Sequence, residues 1–447
     1  MSQEKISSLY DFQEPKINAE KTNKSKTIPI QKILLFAVFA LAFSSAFIPA
    51  GIVSVVLLFL LVLLVPFDEF YLAYPPLLFF YNYLVLPVAG LSLFRAFTLI
   101  LLTKILLKGN FYFKLRFMPI ILVFVLYNVL AVSFVNLRMA FFSCVDFFTL
   151  ILLITEYIEQ DEKNLKKIFT SFAFSAIISY PYGLLVGNIF KLATMDGRNQ
   201  VTLDRAMATF NDPNYMGFFF SVAVFMIICL KLFSPKIRTL IVIYLEICLL
   251  ASLSMTALLG QIVFWLLYLF IVHGIKLKYV ILIAVVAVVC VFLYQYSLKN
   301  DMGFISDLSF RVAEKIDSTL NGDIDGVTTN RAALLKKHYG FYNDQDSIVR
   351  KLFGGNVINA KIRQKGLAIS NSVSHNEYIA LLVNVGIIGA LIWVGYVVIR
   401  FVRFGILYRK DREGNNLSFF MMKAIWLYYA FTLTLFMDER FFLFFAL

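Results

Sequence analysis

Histidine is nearly absent: only His273, His338 and His375 occur in 447 residues. Three scattered imidazoles exclude a convincing zinc site built on histidine. Cysteine is almost as scarce, and Cys144, Cys229, Cys248 and Cys290 all fall within apolar stretches. They read as small buried hydrophobes, with neither metal spacing nor a disulfide framework. Internal repeats and low-complexity blocks are missing, and nothing resembles a nucleic-acid module. Acid is short as well, with 28 Asp+Glu against 41 Lys+Arg and a formal charge of +13.

What fills the chain is apolar: 60% hydrophobic residues and a mean hydropathy of +0.79. That balance excludes an ordinary soluble domain and predicts an all-α, polytopic integral membrane protein. Windows long enough to cross a bilayer recur near 33–50, 51–67, 70–85, 87–103, 117–136, 139–158, 168–190, 213–231, 238–252, 254–272, 279–297, 378–399 and 417–436, about 12–13 transmembrane helices. Residues 1–32 are polar and Lys-rich, and read as a disordered cytoplasmic tail, not a cleavable signal peptide. Residues 33–297 then form an N-terminal bundle with an outer loop at 191–212, 298–377 a long extracytoplasmic loop, and 378–447 the C-terminal transmembrane helices.

Orientation follows from basic connections. Lys104 to Arg116, Lys163 to Lys167, Lys231 to Arg238, Lys276 to Lys278 and Arg400 to Arg412 all fall inside if the tail is cytoplasmic and the spans alternate. The long loop then lies outside, with eleven basic and nine acidic residues, and long loops escape that rule.

Chemistry-bearing residues gather where the two outer loops enter helices. Ser374-His375-Asn376-Glu377 precedes an apolar run and matches a capping box, with Ser374 as cap and Glu377 reaching back. His375 would then be the first helical residue, kept neutral near pH 7 by the positive end of the helix dipole. A neutral imidazole there is either an interfacial residue behind a cap or a general base. At the shorter loop, Asp212 fits an N-cap and Pro213 the first helical position. Two helix N-termini on one side, with Arg198, Arg205 and Arg331 in the adjoining loops, would suit a phosphate or diphosphate. The plainer alternative makes Asp-Pro ordinary punctuation and places the arginines at lipid headgroups.

These pieces occur in a particular order. Arg205, Phe210-Asn211-Asp212-Pro213-Asn214, Arg331, Phe353-Gly354-Gly355, and Ser374-His375-Asn376-Glu377-Tyr378 followed by Gly386-Ile387-Ile388-Gly389 resemble the O-antigen ligase/polymerase family. The likeness covers roughly residues 200–400, and His-Asn-x-Tyr followed by Gly-x-x-Gly is its most specific element. The resemblance implies a GT-C-like glycosyltransferase in the bacterial plasma membrane. It would transfer a polyprenyl-diphosphate-linked oligosaccharide on the extracytoplasmic face without cofactor, nucleotide sugar or essential metal. By position, Arg205 and Arg331 become diphosphate ligands, Arg198 an additional one, and His375 the candidate base, with Asp212, Asn214, Ser374 and Glu377 supporting the helix starts. A flippase and a chain-length regulator would be its partners. One departure stands out: members often carry Ser-Arg where this chain has Ser254-Met255-Thr256. Repeat-unit polymerase is preferred to a ligase acting on a lipid or protein, and a lipid-linked oligosaccharide flippase is the alternative of another class.

Other polar residues have plainer readings. Asp146 and Glu246 lie in apolar windows and read as protonated groups hydrogen-bonded between helices, Glu156 as a cytoplasmic-boundary residue. Gly386, Gly389 and Gly395 read as sites of close helix packing, His338 as a solvated loop histidine in preference to a neighbour of the active site, and a few outer-loop tyrosines as stacking surfaces for sugars.

Overall fold

A computed structural model describes residues 67–81, 93–108, 114–129, 137–190, 207–274 except 211, 276–323 except 298 and 301, 331–344, 347–354 and 375–447 except 436, 437 and 439. The described chain is helical, with no strand among those residues. In chain order the helices are α1 (Tyr74–Phe79), α2 (Leu93–Leu107), α3 (Met118–Tyr127), α4 (Leu137–Leu153), α5 (Glu162–Phe190), α6 (Pro213–Cys229), α7 (Pro235–Ala251) and α8 (Met255–His273). They continue with α9 (Leu277–Ser297), α10 (Phe304–Leu320), α11 (Arg331–Asn343), α12 (Ile348–Phe353), α13 (Glu377–Asp411), α14 (Gly414–Tyr429) and α15 (Phe442–Ala446). Among the described residues, three helical stretches are long and apolar enough to cross a membrane: Ala140–Ile158, Met255–His273 and Glu377–Asp411.

The bundle is organised around α6. Its 17 residues are apolar on every face, and all except Tyr215 and Ile228 are buried. A helix without a polar stripe needs apolar cover all round, and α5, α7, α8 and α14 supply it. Close approach is possible where side chains are small: a Cβ at Gly217 would strike Ala257 and Tyr429. By contrast α8, equally apolar, turns Leu259, Ile262, Val263 and Leu266 outward. An apolar face of that extent is unfavourable in water and fits a hydrocarbon surround.

Several expected spans take a different form. The window 70–85 begins as a 3-10 turn, Phe67–Ala73, and becomes the six-residue α1. Its two prolines occupy the first helical turn, so they start this helix instead of breaking one. The window 378–399 belongs to a helix reaching Asp411, interrupted at Gly386 by φ 70° and ψ −175°. There the backbone of α12 arrives: a Cβ on Gly386 would collide with Leu352 and Gly354, and one on Gly354 with Asn384. Both glycines have positive φ, which lets two backbones meet without a side chain between them. Gly389 packs near Val123, whereas a Cβ at Gly395 would meet nothing within 4 Å.

The window 417–436 ends as a helix at Tyr429. The chain then turns, and residues 442–447 enter the core, where Phe445 stacks on Trp393 with centroids 3.9 Å apart. Lys423, wholly buried, donates to the carbonyls of Phe444 at 2.8 Å and Phe445 at 2.5 Å. Tyr396 donates to Ala446 O at 2.9 Å, and Arg400 to Leu447 O.

Asp146 and Glu246 bond across helix pairs. Thr98 donates to Asp146 at 2.5 Å between α2 and α4, and Arg95 lies 3.9 Å from the same carboxyl group. That cation gives Asp146 an ion-pair partner, so protonation is not needed to explain its burial. Glu246 accepts from Gln261 at 2.6 Å and Trp265 at 2.8 Å, tying α7 to α8.

Candidate functional site

Three helix starts lie together at one end of the bundle. At α6, Asp212 Oδ1 accepts from the Asn214 amide at 2.7 Å and from its side chain at 2.8 Å. At α8, Ser254 caps by accepting from the Ala257 amide at 3.2 Å. Its hydroxyl meanwhile donates to Asn214 Oδ1 at 2.6 Å, which joins the two starts. Ser254 belongs to the short break that ends α7, where Ser252 closes the helix on Leu249 O. The site end therefore carries a continuous polar path from Ser254 through Asn214 to Asp212.

The third start, that of α13, differs from the expected capping box. The helix begins at Glu377, and Asn376 is its cap, accepting from the Ile379 amide at 3.0 Å. Asparagine caps at least as well as serine, so the frame Ser-x-x-Glu was displaced by two residues. The Glu377 carboxylate accepts from the Leu435 amide at 2.7 Å, its own amide donates to Ala430 O at 2.7 Å, and the residue is fully buried. Asn376 also donates to Phe431 O and Tyr378 to Leu427 O. The first turn of α13 is thus stitched to residues 427–435, contacts that no local pattern could announce.

His375 consequently stands outside the helix, with φ +50°. A left-handed conformation costs a residue with a Cβ about 1–2 kcal/mol, and such positions cluster where the surroundings dictate a side chain's direction. The ring is half-buried in the reach of three groups from other elements: Arg331, Asp212 and His338. Burial lowers its proton affinity below that of a free imidazole, the Arg331 and His338 charges lower it further, and Asp212 opposes them. Arg331, the first residue of α11, feels the same carboxylate: burial works against its charge and Asp212 supports it. Residues from α6, α11 and the entry to α13 therefore surround one point, although 119 positions separate Asp212 from Arg331 (331 − 212).

Arg198, Arg205 and Ser374 lie outside the described residues. Helix starts contribute less than an open anion cradle would, because the Asn214, Ala257, Ile379 and Glu377 amides already have acceptors. What remains is the dipole of each helix and the Arg331 guanidinium. Beside them an open groove of about 490 Å³ runs between α11 and the start of α13, walled by Leu335, Tyr339, Tyr378, Ile379 and Phe431. Among the described residues, Lys336 is the only charged side chain of the lining.

Chemically, the arrangement offers one imidazole poised neutral at pH 7, one fixed guanidinium and an apolar trough. No group of three or more His, Cys, Asp or Glu residues suited to a metal occurs among the described residues. Against known proteins, the chain matches no family model and no curated protein.

Proposed function

We propose that this chain is a multi-pass membrane glycosyltransferase that polymerises polyprenyl-diphosphate-linked oligosaccharide units on the extracytoplasmic face of a bacterial plasma membrane. The observation that carries the reading is the meeting of Arg331 and His375 around Asp212, beside an apolar groove. A lipid-linked glycosyl diphosphate has the matching parts: an anionic leaving group, a reacting carbon and an apolar chain. His375 takes the proton of an acceptor hydroxyl as its oxygen attacks the anomeric carbon. The carbon–phosphate oxygen bond breaks, and its electron pair leaves with the diphosphate, whose charge Arg331 and, in this reading, Arg205 and Arg198 stabilise. One direct displacement inverts the anomeric centre. The groove takes the first isoprene units. A ligase delivering glycan to a lipid or protein would use the same site with another acceptor.

A transporter of the same lipid-linked substrate has one observation in its favour. The break of α13 at Gly386 resembles the discontinuous helices that line transporter sites. Purified protein in nanodiscs, supplied with lipid-linked repeat units, separates the two. Longer lipid-linked glycans are expected from the enzyme. Movement of unaltered units across a sealed vesicle with no new linkage would replace the enzyme by the transporter.

A further inference from the structure

Helix α11 carries a second imidazole. His338 follows Arg331 by seven residues, and seven steps of a 3.6-residue helix return a side chain to within about 20° of its starting direction. Arg331 and His338 therefore share one face of α11. That helix packs along α13, and the residue entering α13 is His375, which feels both partners. His338 is half-buried with its Nε2 fully covered, unlike the exposed Lys336 and Lys337 beside it on the helix. The neighbouring stripe of α11, through Lys336 and Tyr339, lines the apolar groove. His338 thus stands where the charged cluster and the groove adjoin.

We infer that His338 is a substrate-contacting residue of this site, donating a ring N–H to an oxygen of the departing diphosphate beside Arg331. This rests on the glycosyl-transfer reading and adds a residue to it. The two imidazoles then have opposite tasks. His375 accepts the acceptor's proton; His338 keeps its own and holds the oxygen on which negative charge accumulates. That division sets a neutral donor beside Arg331, where the nearby carboxylate, Asp212, repels an anion. A hydrogen bond to a charged phosphate oxygen is among the stronger kinds.

The test uses full-length protein in nanodiscs, with inorganic diphosphate as a competitive inhibitor of transfer. His338→Ala is expected to raise both KM for the lipid-linked donor and the inhibition constant of diphosphate about 10-fold. His338→Gln, whose amide can donate from a similar place, is expected to recover most of that loss. His375→Ala should instead lower kcat and leave diphosphate inhibition of its residual turnover unchanged. A diphosphate constant unaltered in His338→Ala overturns the inference, and so does a Gln variant no better than Ala with a lowered thermal midpoint. A wild-type protein that makes no glycosidic bond, yet binds diphosphate in a His338-dependent way by calorimetry, keeps the contact and removes glycosyl transfer.

Discussion

Positive charge is used in two opposite ways in this molecule. Away from the start of α13, cations are absorbed by the protein itself: Lys423 of α14 by two main-chain carbonyls, Arg400 of α13 by a third, and Lys114 and Arg116, just ahead of α3, by Glu159. At the start of α13, Arg331 and His375 both feel Asp212, and His375 also feels His338, while Asp212 already spends one oxygen on the α6 cap. The first cluster is satisfied from within, and the second is held close together at a cost. Structural cations help to fix the segments whose carbonyls and carboxylates they meet. In the proposed reading, the Arg331 guanidinium beside a neutral imidazole is left for a ligand to complete.

Substitutions can break that contrast, and the largest effect belongs to the site. His375→Ala should lower transfer about 10²–10⁴-fold, the usual contribution of a general base, with an unchanged thermal midpoint because Asn376 and Glu377 still fix the helix start. Its acid limb is a sharper version of the same measurement. The base must be neutral, and its proton affinity lies below that of an ordinary imidazole for the reasons given above. Activity should therefore persist as pH falls through about 6.5 and decline only further down. Arg331→Gln removes one of the charges that lower it, so the decline should move to higher pH. A limb that stays in place in that variant separates the two residues.

Arg331→Ala should cost transfer about 2–4 kcal/mol by analogy with loss of one oxyanion donor, with lysine intermediate because it keeps the charge but not the fork. Equal rates for Arg331→Lys and wild type would reduce the role of this residue to bulk charge.

In the other cluster the effects should appear in stability. Lys423→Met keeps the stem but leaves the Phe444 and Phe445 carbonyls without their donor, a loss of about 2–3 kcal/mol. Trp393 and Trp426, which pack on Phe445, provide a fluorescence reading as residues 442–447 loosen. Full stability with impaired transfer would reverse the assignment of the two clusters. The smallest change is expected for Glu159→Gln, about 0.5–1 kcal/mol, since Lys114 and Arg116 are about one-third exposed and exposed pairs contribute little. Burial alone would raise the Glu159 proton affinity, but Arg116 and Lys114 outweigh it and hold the carboxyl below its usual range. Its contribution is therefore present above the unfolded value of about 4.3 and lost as pH falls through the lower folded value. Thermal midpoints of the two proteins should accordingly converge in acid.

Local features of the chain were legible where a local cause sets them. Asp-Pro starts α6 because the cap Asp212 and the Asn214 amide it serves are only two positions apart. The start of α13 was misplaced by two residues because Ser374 and Asn376 are both competent caps, and the decision is made by Ala430, Phe431 and Leu435. Those partners lie 53 or more residues away (430 − 377) and leave no periodic trace in the sequence. The insertion of residues 442–447 was invisible for a similar reason, since its anchor is a lysine in the middle of an apolar helix. His338 reads from sequence as a solvated loop histidine, because its seven-residue spacing from Arg331 gains meaning only once residues 331–343 form a helix.

The interruption of α13 has a mechanical consequence. A continuous rod of 35 residues would be about 50 Å long, and any tilt of its far end would be levered onto His375. Gly386 divides it, leaving residues 377–385 fastened to the turn after α14 and to the backbone of α12. The longer piece therefore has a direction of its own, while the short piece that carries the site end is set by the protein around it. A change in the course of the one need not be passed in full to the other.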